Sequence, residues 1–156
     1  MALKVGDTAP AFDQVASDGR RISLAELRGK KNVVLYFYPK DDTAVCTAEA
    51  CGFRDQYPNL KGLDTEVVGV SADASDSHND FTKKYSLPFP LLSDPDRALA
   101  KAYGAFEGIK AMLGRAARIT YVIDKQGKIA GVFESEIFAK KHTEGVKAVV
   151  EKLARA

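Results

Sequence analysis

The stretch from Asn32 to Asp55, NVVLYFYPKDDTAVCTAEACGFRD, restricts the fold of this chain more than any other. It opens with an apolar run, Val33 to Tyr38, rich in β-branched and aromatic residues and too short for a globular helix. Such a run reads as a buried strand. Pro39 closes it, the polar turn Lys40-Asp41-Asp42-Thr43 follows, and a helix is predicted to start near Thr43 or Ala44. Cys46 then falls in the first turn of that helix. The unpaired backbone N–H groups and the positive end of the macrodipole there favour an anion, so the thiol is biased toward its reactive thiolate.

The second cysteine, Cys51, lies five residues on in the same predicted helix. Five residues amount to about 7.5 Å of rise and roughly 140° of rotation. The two Cα atoms then stand about 8–9 Å apart, beyond the ~7 Å reach of a disulfide. Any bond between them requires the intervening helix to unwind. The same wheel puts Cys46, Ala50, Phe53, Tyr57 and Leu60 on one apolar face, with Cys51 on its flank. A plain alternative is that Cys46 is a small core residue and Cys51 a bystander.

The motif Pro39-x-x-x-Thr43-x-x-Cys46 resembles the active-site signature of the peroxiredoxins, thiol peroxidases built on a thioredoxin fold. The wider string YFYPKDDTxxCTxEACGFRD, with a cysteine at plus five, is similar to the bacterioferritin-comigratory or Q-type branch. The likeness runs from VGDTAPAF at Val5 to the C-terminal helix. One departure is Ala44-Val45, where the branch usually carries Pro-Gly. Losing these residues removes a flexible position and a favoured helix start, which bears on how easily the turn unwinds.

The resemblance implies an α/β, thioredoxin-like fold with a central mixed sheet flanked by helices and an N-terminal hairpin. It also implies that Cys46 attacks a peroxide and becomes a sulfenic acid, which Cys51 resolves as an intramolecular disulfide. Thioredoxin or a glutaredoxin would then restore the thiols, and no cofactor is needed. Arg118, just before ITYVID, matches the family's arginine before its late strand, with Arg115 as a rival from sequence alone. Thr43 is expected to donate to the peroxide, to cap the helix, or both. Pro39 either shields the thiolate from water or merely ends the strand. Glu49 occupies the family's acidic position, where it could hold the arginine or cap the first turn.

At 156 residues the chain is expected to form one domain with a substantial core. A net charge of +2 with scattered lysines favours neither nucleic acid nor membrane as partner. The start MALKVGDTAP lacks an apolar stretch of signal-peptide length, so a reducing, cytoplasmic setting is expected. A cysteine pair in that setting is more often catalytic than structural. His78 and His142 have no ligand spacing to either cysteine, which disfavours zinc, and Asp41-Asp42 reads as a solvated turn. A thioredoxin-like disulfide oxidoreductase normally places its cysteines at C-x-x-C, so plus-five spacing counts against it. A non-catalytic binding or chaperone module is the third reading. An internal resolving cysteine needs no partner subunit, so a monomer is expected.

The remaining chain supplies the other elements. Ala2 to Val15 should be extended, Asp18-Gly19 a hairpin turn, and Ser23-Leu24-Ala25-Glu26 a capping box for a short helix ended by Gly29. Pro58 should kink or stop the cysteine helix. Glu66 to Ala72 reads as a strand and Ser75 to Leu87 as a helix pairing Phe81 with Tyr85. Asp94 and Pro95 should open a helix ended by Gly104, with Leu99, Ala102 and Tyr103 inward. Glu107 to Ala117 reads as loop, Ile119 to Ile123 and Ile129 to Phe133 as a hairpin. Val146, Val149, Val150 and Leu153 line a closing helix.

Overall fold

A computed structural model describes residues 2–112, 114 and 116–155. Its centre is β3 (Asn32–Phe37), in which all six residues are buried. Both faces of a central strand are covered, so consecutive side chains serve two different cores. Val33, Leu35 and Phe37 join one apolar cluster with Phe12, Leu99, Tyr103 and Tyr121. Val34, Tyr36 and Tyr38 join the other with Phe53, Phe81, Val146 and Val150.

Around β3 the chain builds a five-stranded sheet with β4 (Thr65–Ser71), β5 (Leu91–Ser93), β6 (Ile119–Ile123) and β7 (Ile129–Glu134). The strand order is β5-β4-β3-β6-β7, parallel across β3, β4 and β5 and antiparallel at β6 and β7. The parallel crossovers run through α2 (Ala44–Gly62) and α3 (Ser75–Tyr85), and α6 (Ala139–Arg155) packs beside α2 on the same face. The other face is covered by α1 (Leu24–Leu27), α4 (Ala98–Ala102) and the N-terminal segment. The expected N-terminal hairpin is present as β1 (Asp13–Val15) and β2 (Arg21–Ser23). No helix among the described residues is long and apolar enough to cross a membrane.

Five local expectations need correction. The cysteine helix continues through Pro58 to Gly62. A proline inside a helix costs about 3 kcal/mol, but Phe53, Tyr57 and Leu60 are buried on one face across it. Each such side chain contributes about 1.5–3 kcal/mol. The helix after Asp94 starts at Ala98, because Arg97 holds a left-handed backbone (φ 58) that excludes it from the helix. Asp94 still caps by reaching forward, accepting from the N–H groups of Leu99 and Ala100 at 3.0 and 2.9 Å. Ala100 is turned inward and Ala102 is exposed. Within Glu107 to Ala117 a short helix, α5 (Gly108–Met112), replaces the expected loop. The capping box is half formed: Ser23 Oγ accepts from Glu26 N–H at 3.4 Å, while the Glu26 carboxylate pairs with Arg21.

Candidate active site

The polar turn leaves the carboxyl end of β3 and delivers the chain into α2, whose buried face is Cys46, Glu49, Ala50, Phe53, Tyr57 and Leu60. Cys46 is 1% exposed, and Cys51 sits half-buried on the flank. Both thiols are free, and the helix is continuous between them.

Sheet register brings the distant arginine in. Phe37 at the end of β3 pairs with Ile119 at the start of β6, so Arg118 emerges beside the cysteine turn. Its Nη1 donates to Cys46 Sγ at 3.0 Å and to Glu49 Oε1 at 3.3 Å. Glu136 fixes the backbone and the base of the side chain, its Oε2 accepting Arg118 N–H at 2.9 Å and its carbonyl accepting Nε at 3.3 Å. Burial opposes the charge of Arg118, but the Cys46 sulfur and the Glu49 carboxyl outweigh it, so the guanidinium is held above its ordinary value. A permanent cation therefore sits 3.0 Å from the sulfur. Arg115 lies outside the described residues.

Arg118 and Glu136 line a cleft of about 740 Å³ together with Pro39, Lys40, Thr43 and Arg97. Thr43 stands at the N-cap position in extended conformation, yet its hydroxyl makes no cap bond and donates to the Lys40 carbonyl at 3.0 Å. The capping half of the Thr43 expectation therefore fails for the side chain, and with its hydrogen given to Lys40 the exposed oxygen faces the cleft as an acceptor and not as the expected donor. Pro39 is half-buried beside it. Cys46, Thr43, Pro39 and Arg118 are thus gathered at one place, and Cys51 stands apart from them along the helix.

Residues 5–132 match the AhpC/TSA family. The chain is 41% identical over 148 residues to the chloroplastic peroxiredoxin Q of Sedum lineare, covering 95% of this chain and 78% of that one. The chain belongs to the AhpC/TSA family, in its bacterioferritin-comigratory or Q-type peroxiredoxin branch. The crystal structure of peroxidoxin BcpB from Mycobacterium tuberculosis superposes with a TM-score of 0.87 at 32% identity, covering 97% of this chain and 98% of that one. The bacterioferritin comigratory protein of Xanthomonas campestris, described for its alkyl peroxide reduction activity, gives 0.83 at 28% identity over 95% and 99%. The thioredoxin-like fold follows, and with it the chemistry of a thiol peroxidase.

Two buried histidines of this peroxiredoxin lie closer to the chemistry than their spacing in the sequence suggests. His142 on α6 faces Glu49 from behind Arg118, with Nδ1 3.3 Å from Glu49 Oε2. Its Nδ1 also meets Thr120 Oγ1 at 2.8 Å, and Nε2 donates to the Ser135 carbonyl at 2.9 Å. Burial pushes the Glu49 carboxyl up to about 8 against the pull of Arg118, and burial holds the His142 imidazole below its ordinary value. Glu49 thus holds the arginine, as one of its two expected roles required.

The second pair sits in the turn. Asp41 is buried, which corrects the reading of Asp41-Asp42 as wholly solvated. Its carboxylate accepts from Tyr38 Oη at 2.6 Å and Ser77 Oγ at 2.8 Å, and lies 2.7 Å from His78 Nδ1. Asp42 is exposed and pairs with Lys84 and Tyr85. Asp41, Asp73 and His78 lie within metal-ligand reach of one another, and protein donors already occupy both Asp41 oxygens and Asp73 Oδ2, the last through Ser71 Oγ and Asp41 N–H. Periodicity could have flagged both histidines and Glu49. Glu49 stands four before Phe53, His78 three before Phe81 and His142 four before Val146, each a titratable group on an apolar stripe.

Proposed function

We propose that Cys46 is the peroxidatic cysteine of an intramolecular two-cysteine peroxidase acting on hydrogen peroxide and organic hydroperoxides. The observation that carries this is the buried Cys46 Sγ with Arg118 Nη1 at 3.0 Å, behind a cleft that presents Thr43 and Pro39. The thiolate attacks the nearer oxygen of ROOH, the O–O bond breaks, and the departing RO⁻ takes a proton to leave ROH and Cys46–SOH. An unperturbed thiol is only a few per cent ionised at pH 7, so ionising it yields a modest gain. The larger share must come from donors that align the peroxide and stabilise charge on the leaving oxygen. Arg118 and the first-turn N–H groups of Val45 and Cys46 are suited to that task, with Thr43 Oγ1 and Pro39 shaping the approach.

The Cys51 thiol then attacks the Cys46 sulfenate, forming the disulfide and releasing water. Both cysteines lie in one helix, so its first turns must unwind before the sulfurs meet. An external dithiol, thioredoxin or glutaredoxin, reduces the disulfide, and the cycle is complete in one subunit. The alkyl peroxide activity named for the X. campestris relative supports organic substrates. A peroxide-consumption assay with a thioredoxin system tests the scheme. Cys46→Ser should abolish turnover, whereas Cys51→Ser should still form sulfenate but no 46–51 bond by mass spectrometry. Equal activity in both variants would reject it.

A further inference from the structure

We propose that Glu49 and His142 share one proton as a latch on the first turns of α2, and that the unwinding which brings Cys51 to Cys46 releases that proton. This rests on the resolving step above and adds what holds that step back.

The proton follows from which atoms face each other. His142 Nε2 points at the Ser135 carbonyl, which can only accept, so Nε2 carries hydrogen. On the other edge Nδ1 faces Glu49 Oε2 at 3.3 Å, and Oε2 makes no hydrogen bond to any described group. Thr120 Oγ1 lies 2.8 Å from the same Nδ1 and brings one hydrogen to a site with two acceptors, so without a further proton either Nδ1 or Oε2 keeps an unmet lone pair where both side chains are fully buried. One proton between them removes that conflict. Whether it rests on oxygen or nitrogen, it belongs to the pair. The surroundings agree. Arg118 Nη1 is nearer Cys46 Sγ than Glu49 Oε1, and Glu136 and Tyr36 add unfavourable interactions with a negative Glu49. Thr120 faces the pair from β6, and Lys141 on α6 disfavours charge on His142. Burial is the largest influence, and it pushes the Glu49 carboxyl up to about 8.

Unwinding from Ala44 through Cys51 carries Glu49 out of this site, while His142 stays on α6. In water the carboxyl returns to its ordinary value of 4.5 and ionises, and His142 is left neutral. The opening is therefore Glu49–His142(H⁺, closed) → Glu49⁻ + His142 + H⁺ (open). A raised closed-state value favours the closed form fully below about 4.5, and this preference fades as pH climbs through about 8. The unwinding should end near Gly52, because a Cβ there would lie 2.7 Å from Thr143 Cγ2, so α2 and α6 are in tight contact at that point.

Amide hydrogen exchange of residues 44–51 in Cys46→Ser, which removes the thiol's own titration from the opening, divided by intrinsic exchange and followed from pH 5 to 8, tests the latch. The opening constant in this background should rise by up to about tenfold per pH unit, the slope of one released proton. Adding Glu49→Gln, which cannot ionise, should make that slope vanish. A flat profile in Cys46→Ser, or an unchanged slope after Glu49→Gln, overturns the proposal. Mass spectrometry of peroxide-treated protein keeps the two readings apart. A pH-dependent opening without a 46–51 disulfide would reject Cys51 as resolver and leave the latch standing. A disulfide without the slope would do the reverse.

Discussion

Cys46 is flanked along the chain by Asp41 and Glu49, members of two buried carboxylate–histidine pairs that share a layout and differ in how the carboxylate is satisfied. Asp41 receives Tyr38 and Ser77 hydroxyls and stands 2.7 Å from His78 Nδ1, while His78 Nε2 donates to the Leu92 carbonyl at 3.0 Å. Each nitrogen and each oxygen has a partner, and the Asp41 N–H is tied to Asp73 as well. Glu49 has one oxygen on Arg118 at 3.3 Å and another with no hydrogen bond to any described group. A satisfied buried pair is a fixed anchor, and a half-satisfied one is a place where structure gives way. The anchor holds the turn that shapes the cleft, and the stretch on the other side of Cys46 is the one that must let go. Burial alone does not distinguish the two pairs, since all four side chains are nearly inaccessible.

The difference is open to direct attack. His78→Leu should leave the buried Asp41 carboxyl without its imidazole partner and cost about 3–5 kcal/mol in a denaturant melt. A loss below 1 kcal/mol would mean that the anchor is no stronger than the latch. Glu49→Gln should act in the opposite sense. Its wild-type carboxyl is raised to about 8, so it favours the folded state fully below 4.5 and progressively less as pH rises through 8. The glutamine variant should therefore match wild type near pH 4.5 and exceed it at pH 8.5 by about 1–3 kcal/mol, the usual penalty of an unsatisfied buried polar group. Thermal melts at the two pH values read this, and equal differences at both would remove the distinction drawn here.

How far the chain itself disclosed these features depends on the range of the interaction involved. The strand–turn–helix around Cys46 was legible because apolar runs, Pro39 and the 3.6-residue period act over neighbouring positions. The wheel placed Cys46, Ala50, Phe53, Tyr57 and Leu60 inside, as found. Arg118 came from resemblance, since only the pairing of Phe37 with Ile119 brings it to the cysteine. Glu136 and His142 arrive through β7 and α6, from sequence positions that no local pattern connects to residue 46. Asp41 was misread because a polar turn looks solvated until α3 folds Ser77 and His78 over it. The start of α4 was missed for a similar reason, since nothing in the residue type of Arg97 announces a left-handed backbone.

The finest test falls at the seam between the two pairs. Ala44 and Val45 join the anchored turn to the latched helix, where the resembling branch usually carries Pro-Gly. Val45 is half-buried in the first turn and Ala44 is exposed. Val45→Gly should leave the anchor untouched and add conformational freedom to the unwound state, at a cost to the closed helix of about 0.5–1 kcal/mol. That corresponds to a roughly two- to fivefold larger opening constant for residues 44–51 at any one pH, with the pH slope itself unchanged, because no titrating group has been altered. The rate of disulfide formation after a single peroxide pulse should rise by the same factor when opening limits it. A steeper or shallower slope in Val45→Gly would mean that the turn and the Glu49–His142 pair open as one unit, and the division of labour around Cys46 would then be drawn in the wrong place.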